Sequence, residues 1–75
     1  MASSRRGFVV CVRNEGYEVS LERRKIYQVL SDPDAARHGQ VRVIDESGED
    51  YLYPAGYFKS LDLPPAVRRA VAAAV

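Results

Sequence analysis

Apolar residues fall along this chain in short bursts separated by turn formers, with a period-two alternation in the middle and a helical period only at the end. Phe8-Val9-Val10-Cys11-Val12 is a continuous apolar run rich in β-branched residues, which predicts a strand covered on both faces, ended by the turn residues Asn14-Glu15-Gly16. From Tyr17 to Lys25 the pattern is irregular: Tyr17, Val19 and Leu21 alternate before the charged stretch Glu22-Arg23-Arg24-Lys25, so a long exposed excursion is expected. Ile26 to Leu30 reads as a second strand, stopped by Ser31-Asp32-Pro33-Asp34. A short helical turn near 33–38 follows: Asp32 caps it, Pro33 suits the first helical position, Asp34 complements the dipole and Gly39 can end it with positive φ.

Two further strand-like runs flank Glu46-Ser47-Gly48, a three-residue hairpin loop in which Gly48 can take the left-handed position. Setting Asp45 opposite Glu49 places Val43 across from Tyr51 and Val41 across from Tyr53, with Arg42 and Leu52 on the other face, so the valine and tyrosine face is the expected core. Pro54-Ala55-Gly56 interrupts pairing, and Tyr57 to Leu63 resumes as a short fifth strand with Phe58 and Leu61 available for burial. After Pro64-Pro65, Val67, Ala70, Val71, Ala74 and Val75 recur at helical spacing, predicting a C-terminal helix near 64–74 that needs docking to persist. Residues 1–6 are small, polar and basic without a period and read as a disordered tail, leaving 7–75 as a single domain. Five short strands with tight turns and a closing helix on so short a chain predict a mostly-β fold, a small five-stranded closed barrel, because closure removes exposed edges.

With 75 residues the core must be small; a fold of this size hides only about 60% of its unfolded surface. The apolar share of 47% and charged share of 28% are those of a globular protein, so disorder of the whole chain is not expected. Eleven Lys and Arg stand against 10 Asp and Glu, a net charge of +1, so electrostatic binding has to come from local patches. Cys11 is the only cysteine, which excludes a disulfide framework and a thiolate metal cluster and fits a reducing, cytoplasmic setting. The basic start is followed by an apolar run too short for a signal peptide, and no segment approaches a membrane span.

Two blocks, Gly16-Tyr-Glu-Val-Ser-Leu-Glu-Arg-Arg-Lys-Ile-Tyr-Gln-Val-Leu30 and Arg42-Val-Ile-Asp-Glu-Ser-Gly-Glu-Asp-Tyr-Leu-Tyr-Pro54, resemble a family of short, uncharacterised bacterial proteins expected to form SH3-like barrels. The resemblance covers most of residues 8 to 72 and implies a shape, not an activity. Tyr53-Pro54-Ala55-Gly56-Tyr57-Phe58 is also similar to the segment of eukaryotic SH3 domains that follows their last hairpin, which would put Pro54 and Tyr57 on a binding surface. The chain has no tryptophan, on which the SH3 peptide groove depends, so that likeness does not extend to proline-rich ligands.

The chemistry-bearing residues point to binding. Tyr17, Tyr27, Tyr51, Tyr53 and Tyr57 are many for this length, and amphipathic aromatics favour interfaces. Tyr51 and Tyr53 are assigned to the core by their hairpin face, while Pro54, Tyr57, Tyr17 and Tyr27 are the candidates for a protein-binding surface, with an exposed edge strand as a further route. Arg13, Arg23, Arg24 and Lys25, with Arg5, Arg6 and Arg37, offer an alternative, phosphate contacts of an RNA-binding small barrel; near-neutral charge and the adjacent Glu18 and Glu22 favour a solvated mixed-charge loop instead. Asp45, Glu46, Glu49 and Asp50 match no calcium loop and read as an exposed acidic turn. His38 and Cys11 do not form a nucleophile and base in this reading, and no phosphate loop, metal-binding cysteine set or catalytic serine motif occurs, so neither enzyme chemistry nor a cofactor is expected. A homo-oligomer formed through the C-terminal helix is a third possibility.

Overall fold

Five strands and two helices make up the described part of the chain: β1 (Arg6–Cys11), β2 (Ile26–Leu30), α1 (Pro33–Arg37), β3 (Gln40–Ile44), β4 (Asp50–Pro54), β5 (Phe58–Leu61) and α2 (Pro65–Ala73). A 3-10 turn, Ala55–Tyr57, joins β4 to β5. This is a computed structural model, and it describes residues 6–73. Residues 1–5 of the expected tail, and Ala74 and Val75 of the expected helix, lie outside the described residues; Arg6 already opens β1. The expected fifth strand is shorter at both ends, because Tyr57 belongs to the 3-10 turn.

The strands form one antiparallel sheet in the order β4-β3-β2-β1-β5. The domain is therefore mostly β, but the sheet is not closed into a barrel: β4 and β5 stand at its edges. These edges are nevertheless consecutive in the chain. A flat sheet would hold them roughly 19 Å apart at about 4.8 Å per strand, and a 3-10 segment rises only about 2 Å per residue. The sheet therefore has to curl. Backbone bonds hold the linking turn at both ends, from the Ala55 N–H to the Gly39 carbonyl (2.9 Å) and from the Val12 N–H to the Tyr57 carbonyl (2.8 Å).

The central hairpin has the register read from the sequence, with Val43 opposite Tyr51, Val41 opposite Tyr53 and Arg42 opposite Leu52. Its tip is closed by Asp45 N–H to Glu49 O and Gly48 N–H to Asp45 O (both 3.0 Å), with Gly48 at φ 85°. In this rhythm Asp50, Leu52 and Pro54 turn their backbone groups to the free edge of β4. Proline, lacking an N–H, is tolerated at such a position. Helix α1 is capped as expected: the Asp32 carboxylate accepts from the Ala35 N–H (3.0 Å), Pro33 opens the first turn and Gly39 follows at φ 71°.

Val9, Cys11, Leu21, Tyr27, Val43, Tyr53 and Phe58 form the core. Two expectations are corrected here. Tyr51 is 51% exposed, because its place beside the hairpin tip lies beyond the end of so small a core. The excursion between β1 and β2 is not wholly exposed: Leu21 is buried, its carbonyl accepts from Asn14 Nδ2 (3.0 Å), and the Ser20 carbonyl accepts from the Glu46 N–H (3.1 Å). Cover on the opposite face of β1 thins along the strand, from buried Phe8 through half-buried Val10 to Val12, which is 40% exposed. No residue of α2 is fully buried; Val71 and Ala72 are half-buried and Val67 is exposed.

The excursion returns to the sheet through a β-bulge. Cys11 donates its N–H to the Lys25 carbonyl (2.9 Å) and accepts at its own carbonyl from the Arg24 N–H (2.7 Å), so two residues face one. Arg24 also occupies the third position of the turn Glu22–Lys25, with φ 73°, and is the one non-glycine residue at positive φ among the described residues. Glycine is the usual occupant of such a site, since a Cβ there costs about 1–2 kcal/mol. Arg24→Gly is accordingly expected to stabilise the domain by roughly 0.5–1 kcal/mol after the entropy of a free glycine is subtracted. Urea unfolding would measure it, and an unchanged or lower midpoint would remove the claim of strain.

Candidate interaction surface

The hairpin tip anchors the site. Asp45, expected on an exposed acidic turn, is buried, and its carboxylate accepts from Ser47 Oγ (2.6 Å), from the Ser47 N–H (2.9 Å) and from the Tyr53 hydroxyl (2.5 Å). Its neighbour Glu46 accepts from Lys25 Nζ (2.7 Å) and from the Tyr27 hydroxyl (2.5 Å), while that hydroxyl accepts from the Glu22 N–H (2.8 Å). Burial pushes the Asp45 carboxyl upward, but the hydrogen bonds from Ser47 and Tyr53 outweigh it and leave the group below its ordinary range. Glu46 is held low by Lys25 and Tyr27. Burial, then the facing carboxylate, raises both phenols, Tyr53 to about 12. Glu49 accepts from the Tyr51 hydroxyl (3.0 Å), and Asp50 meets Arg42 Nη1 (3.0 Å), whose Nε holds Asp32 (2.8 Å). The four carboxylates of the tip are thus each occupied by donors of the chain, and no cluster suited to a metal ion occurs among the described residues.

From the fixed Tyr53 ring an aromatic chain leads outward. Tyr17 packs edge-on to Tyr53, with centroids 5.0 Å apart at 85°, and to Tyr57, at 6.0 Å and 73°. Tyr57 donates its hydroxyl to the Glu15 carbonyl (2.8 Å), and the Arg13 guanidinium lies 5.2 Å from its ring centroid while pairing with the Glu15 carboxylate (3.1 Å). Tyr17 is 39% exposed and Tyr57 half-buried, so both present ring surface without being free to swing. On its other side Tyr17 borders a cleft of about 380 Å³ that runs beside β4 and is lined by Ser20, Asp45, Ser47, Tyr51, Leu52 and Tyr53.

Of the four residues expected on a protein-binding surface, Tyr17 and Tyr57 are therefore side by side, and Pro54 leads into the turn that carries Tyr57. Tyr27 is not with them; it is buried, with its hydroxyl spent on Glu46. Of the basic residues named for nucleic acid, Arg13 and Lys25 are tied to Glu15 and Glu46, and Arg23 and Arg24 form no ion pair among the described residues. Arg37 is paired with Asp34 across one helical turn. Cys11 sits in the core, its thiol raised by burial, and His38 ends α1 with Nδ1 2.9 Å from the Asp34 carbonyl. Tyr51 and Leu52, at the cleft, were missed by sequence reasoning, although Pro54 already marked β4 as an edge strand and Tyr51 stands only three residues from Gly48. No helix among the described residues is long and apolar enough to cross a membrane.

No protein-family profile, curated protein or solved structure matches this chain, so the surface is read from its own geometry.

Two outcomes follow from the hairpin tip. With Asp45 and Glu46 depressed in the folded state, their stabilisation is complete above the unfolded carboxyl pKa near 4 and is lost as pH falls through the lower folded values. With the phenols raised, theirs is complete below about pH 10 and lost as pH rises through the folded values, about 12 for Tyr53. Thermal unfolding against pH should thus be flat between about pH 5 and 9 and fall on both sides. Tyr53→Phe takes a donor from a buried carboxylate and is expected to cost about 1–3 kcal/mol. It should also make the acid limb shallower, because Asp45 then gains less from being charged in the folded state; an unaltered acid limb would contradict this coupling.

Proposed function

We propose that the chain is a non-enzymatic interaction module of the SH3-like small-barrel type, binding another protein through Tyr17, Tyr57 and Pro54 with the adjoining free edge of β4. The observation that carries this reading is the pre-set aromatic ledge: Tyr17 is wedged between Tyr53 and Tyr57, and Tyr57 is pinned by Arg13 and by the Glu15 carbonyl. Rigid, half-covered tyrosines offer contact area at little entropic cost, which is what interface anchors require. Next to them β4 exposes Leu52 and the backbone groups of Asp50 and Leu52, to which an extended segment can add by strand pairing. The barrel assignment is supported by the curl that the short β4–β5 link demands, and membership of the short bacterial family by the two sequence blocks alone.

The nucleic-acid reading is weaker on this geometry, because carboxylates already engage Arg13 and Lys25, two of its four cations. A pull-down from native lysate with the full chain, with and without nuclease, separates the two. A protein partner that survives nuclease and loses affinity on the order of tenfold with a folded Tyr57→Ala variant is expected, since truncating a central aromatic costs over 1 kcal/mol. Retention of that partner by Tyr57→Ala and Tyr17→Ala alike would rule out the ledge, and capture that depends on nucleic acid would favour the other class.

A further inference from the structure

The outer face of the sheet, turned away from the core, carries a second site. Phe8, Val10 and Val12 alternate with the core residues Val9 and Cys11, and the registers set Ile26 of β2 and Lys59 of β5 on either side of Val10. Val12 is 40% and Ile26 37% exposed, so an aliphatic strip lies open where the cover over Phe8 ends. Against it lies a cleft of about 330 Å³ lined by Val10, Cys11, Val12, Arg23 and Arg24.

The cations around this strip are not held by carboxylates of the chain. Arg13, Lys25, Arg37 and Arg42 each hold a carboxylate, whereas Arg23, Arg24 and Lys59, like Arg68 and Arg69 of α2, form no ion pair among the described residues. The carboxylate of Glu22, next in sequence, makes no ion pair with them either. Arg24 keeps its place at the cleft in a left-handed backbone conformation that glycine would adopt without strain. Strained backbone positions cluster at functional sites.

We propose that this cleft docks an acidic peptide segment, its carboxylates on the Arg23 and Arg24 guanidiniums and an aliphatic side chain on Val10 and Val12. Charge complementarity selects the acid: two adjacent unpaired guanidiniums suit carboxylates, and Lys59 extends the positive rim along the sheet. The floor selects the apolar residue and argues against single-stranded nucleic acid, for no aromatic lines the cleft and base stacking has no platform there. The side chains that line it are separate from those of the tyrosine ledge, the two meeting through the backbone bond from the Val12 N–H to the Tyr57 carbonyl.

Fluorescence anisotropy of the full chain with a labelled short peptide of repeating Glu-Leu-Glu-Ser, at low and at moderate salt, tests the proposal. Binding that weakens with salt is expected. Arg24→Gly should weaken it about fivefold and Arg23→Glu about tenfold or more, with Tyr57→Ala leaving it unchanged. Urea unfolding of Arg24→Gly, with a midpoint expected at or above the parent's, separates lost binding from lost fold. Absence of binding, equal affinity in both arginine variants, or equal affinity for a peptide with serine in place of leucine would each overturn the proposal. So would tighter binding of a uridine oligonucleotide or of phosphatidylserine vesicles, which would assign the arginines to phosphate. Loss of peptide binding in Tyr57→Ala would place the peptide on the ledge instead.

Discussion

The Tyr53 hydroxyl on the Asp45 carboxylate is the contact on which most of this domain depends. The core of this chain of 75 residues is small, and two of its members are tyrosines whose hydroxyls need acceptors once buried. Consecutive residues at the hairpin tip supply both, Asp45 to Tyr53 of β4 and Glu46 to Tyr27 of β2. The same tip takes in the excursion, through the Glu46 N–H on the Ser20 carbonyl, and Lys25, through its ammonium on Glu46. Two strands and the long connection are thereby tied at one point.

That node also sets the surface. Tyr53 cannot turn, Tyr17 leans on its ring, and Tyr57 leans on Tyr17, so the exposed ledge inherits its order from a buried carboxylate. The outer face is organised differently. There a bulge at Cys11 and a strained Arg24 present two guanidiniums beside an aliphatic strip, at a cost to the fold that a glycine would avoid. Order on one side comes from satisfied hydrogen bonds, and on the other from a backbone conformation kept in spite of its energy.

A net charge of +1 conceals this asymmetry. Carboxylates gather at the hairpin and α1, where Arg42 joins Asp32 of the helix cap to Asp50 of β4 and Lys25 meets Glu46. Cations without ion-pair partners among the described residues lie on the bulge, on the outer face of β5 and on α2, at Arg68 and Arg69. Summed charge says little about recognition in a domain whose pairs cancel locally.

Local chemistry made much of the fold legible in advance. The Gly48 loop dictates the hairpin register because side chains alternate with a period of two, so a slip by one residue would expose Val43 and bury Arg42. Asp32, Pro33 and Gly39 mark the ends of α1 because each answers a backbone need within a few residues. Pro54 marks the end of a strand at a free edge for the same kind of reason. What tertiary structure alone decided are contacts between distant segments: Leu21 entering the core, and Tyr27 turning inward to Glu46 while Tyr51 stays out. Period and propensity carry no information on which of several equivalent tyrosines meets a carboxylate far along the chain, because that choice is made by the curl of the sheet. The pairing of Tyr17 with Tyr57 belongs to the same class, for only the folded excursion brings them together.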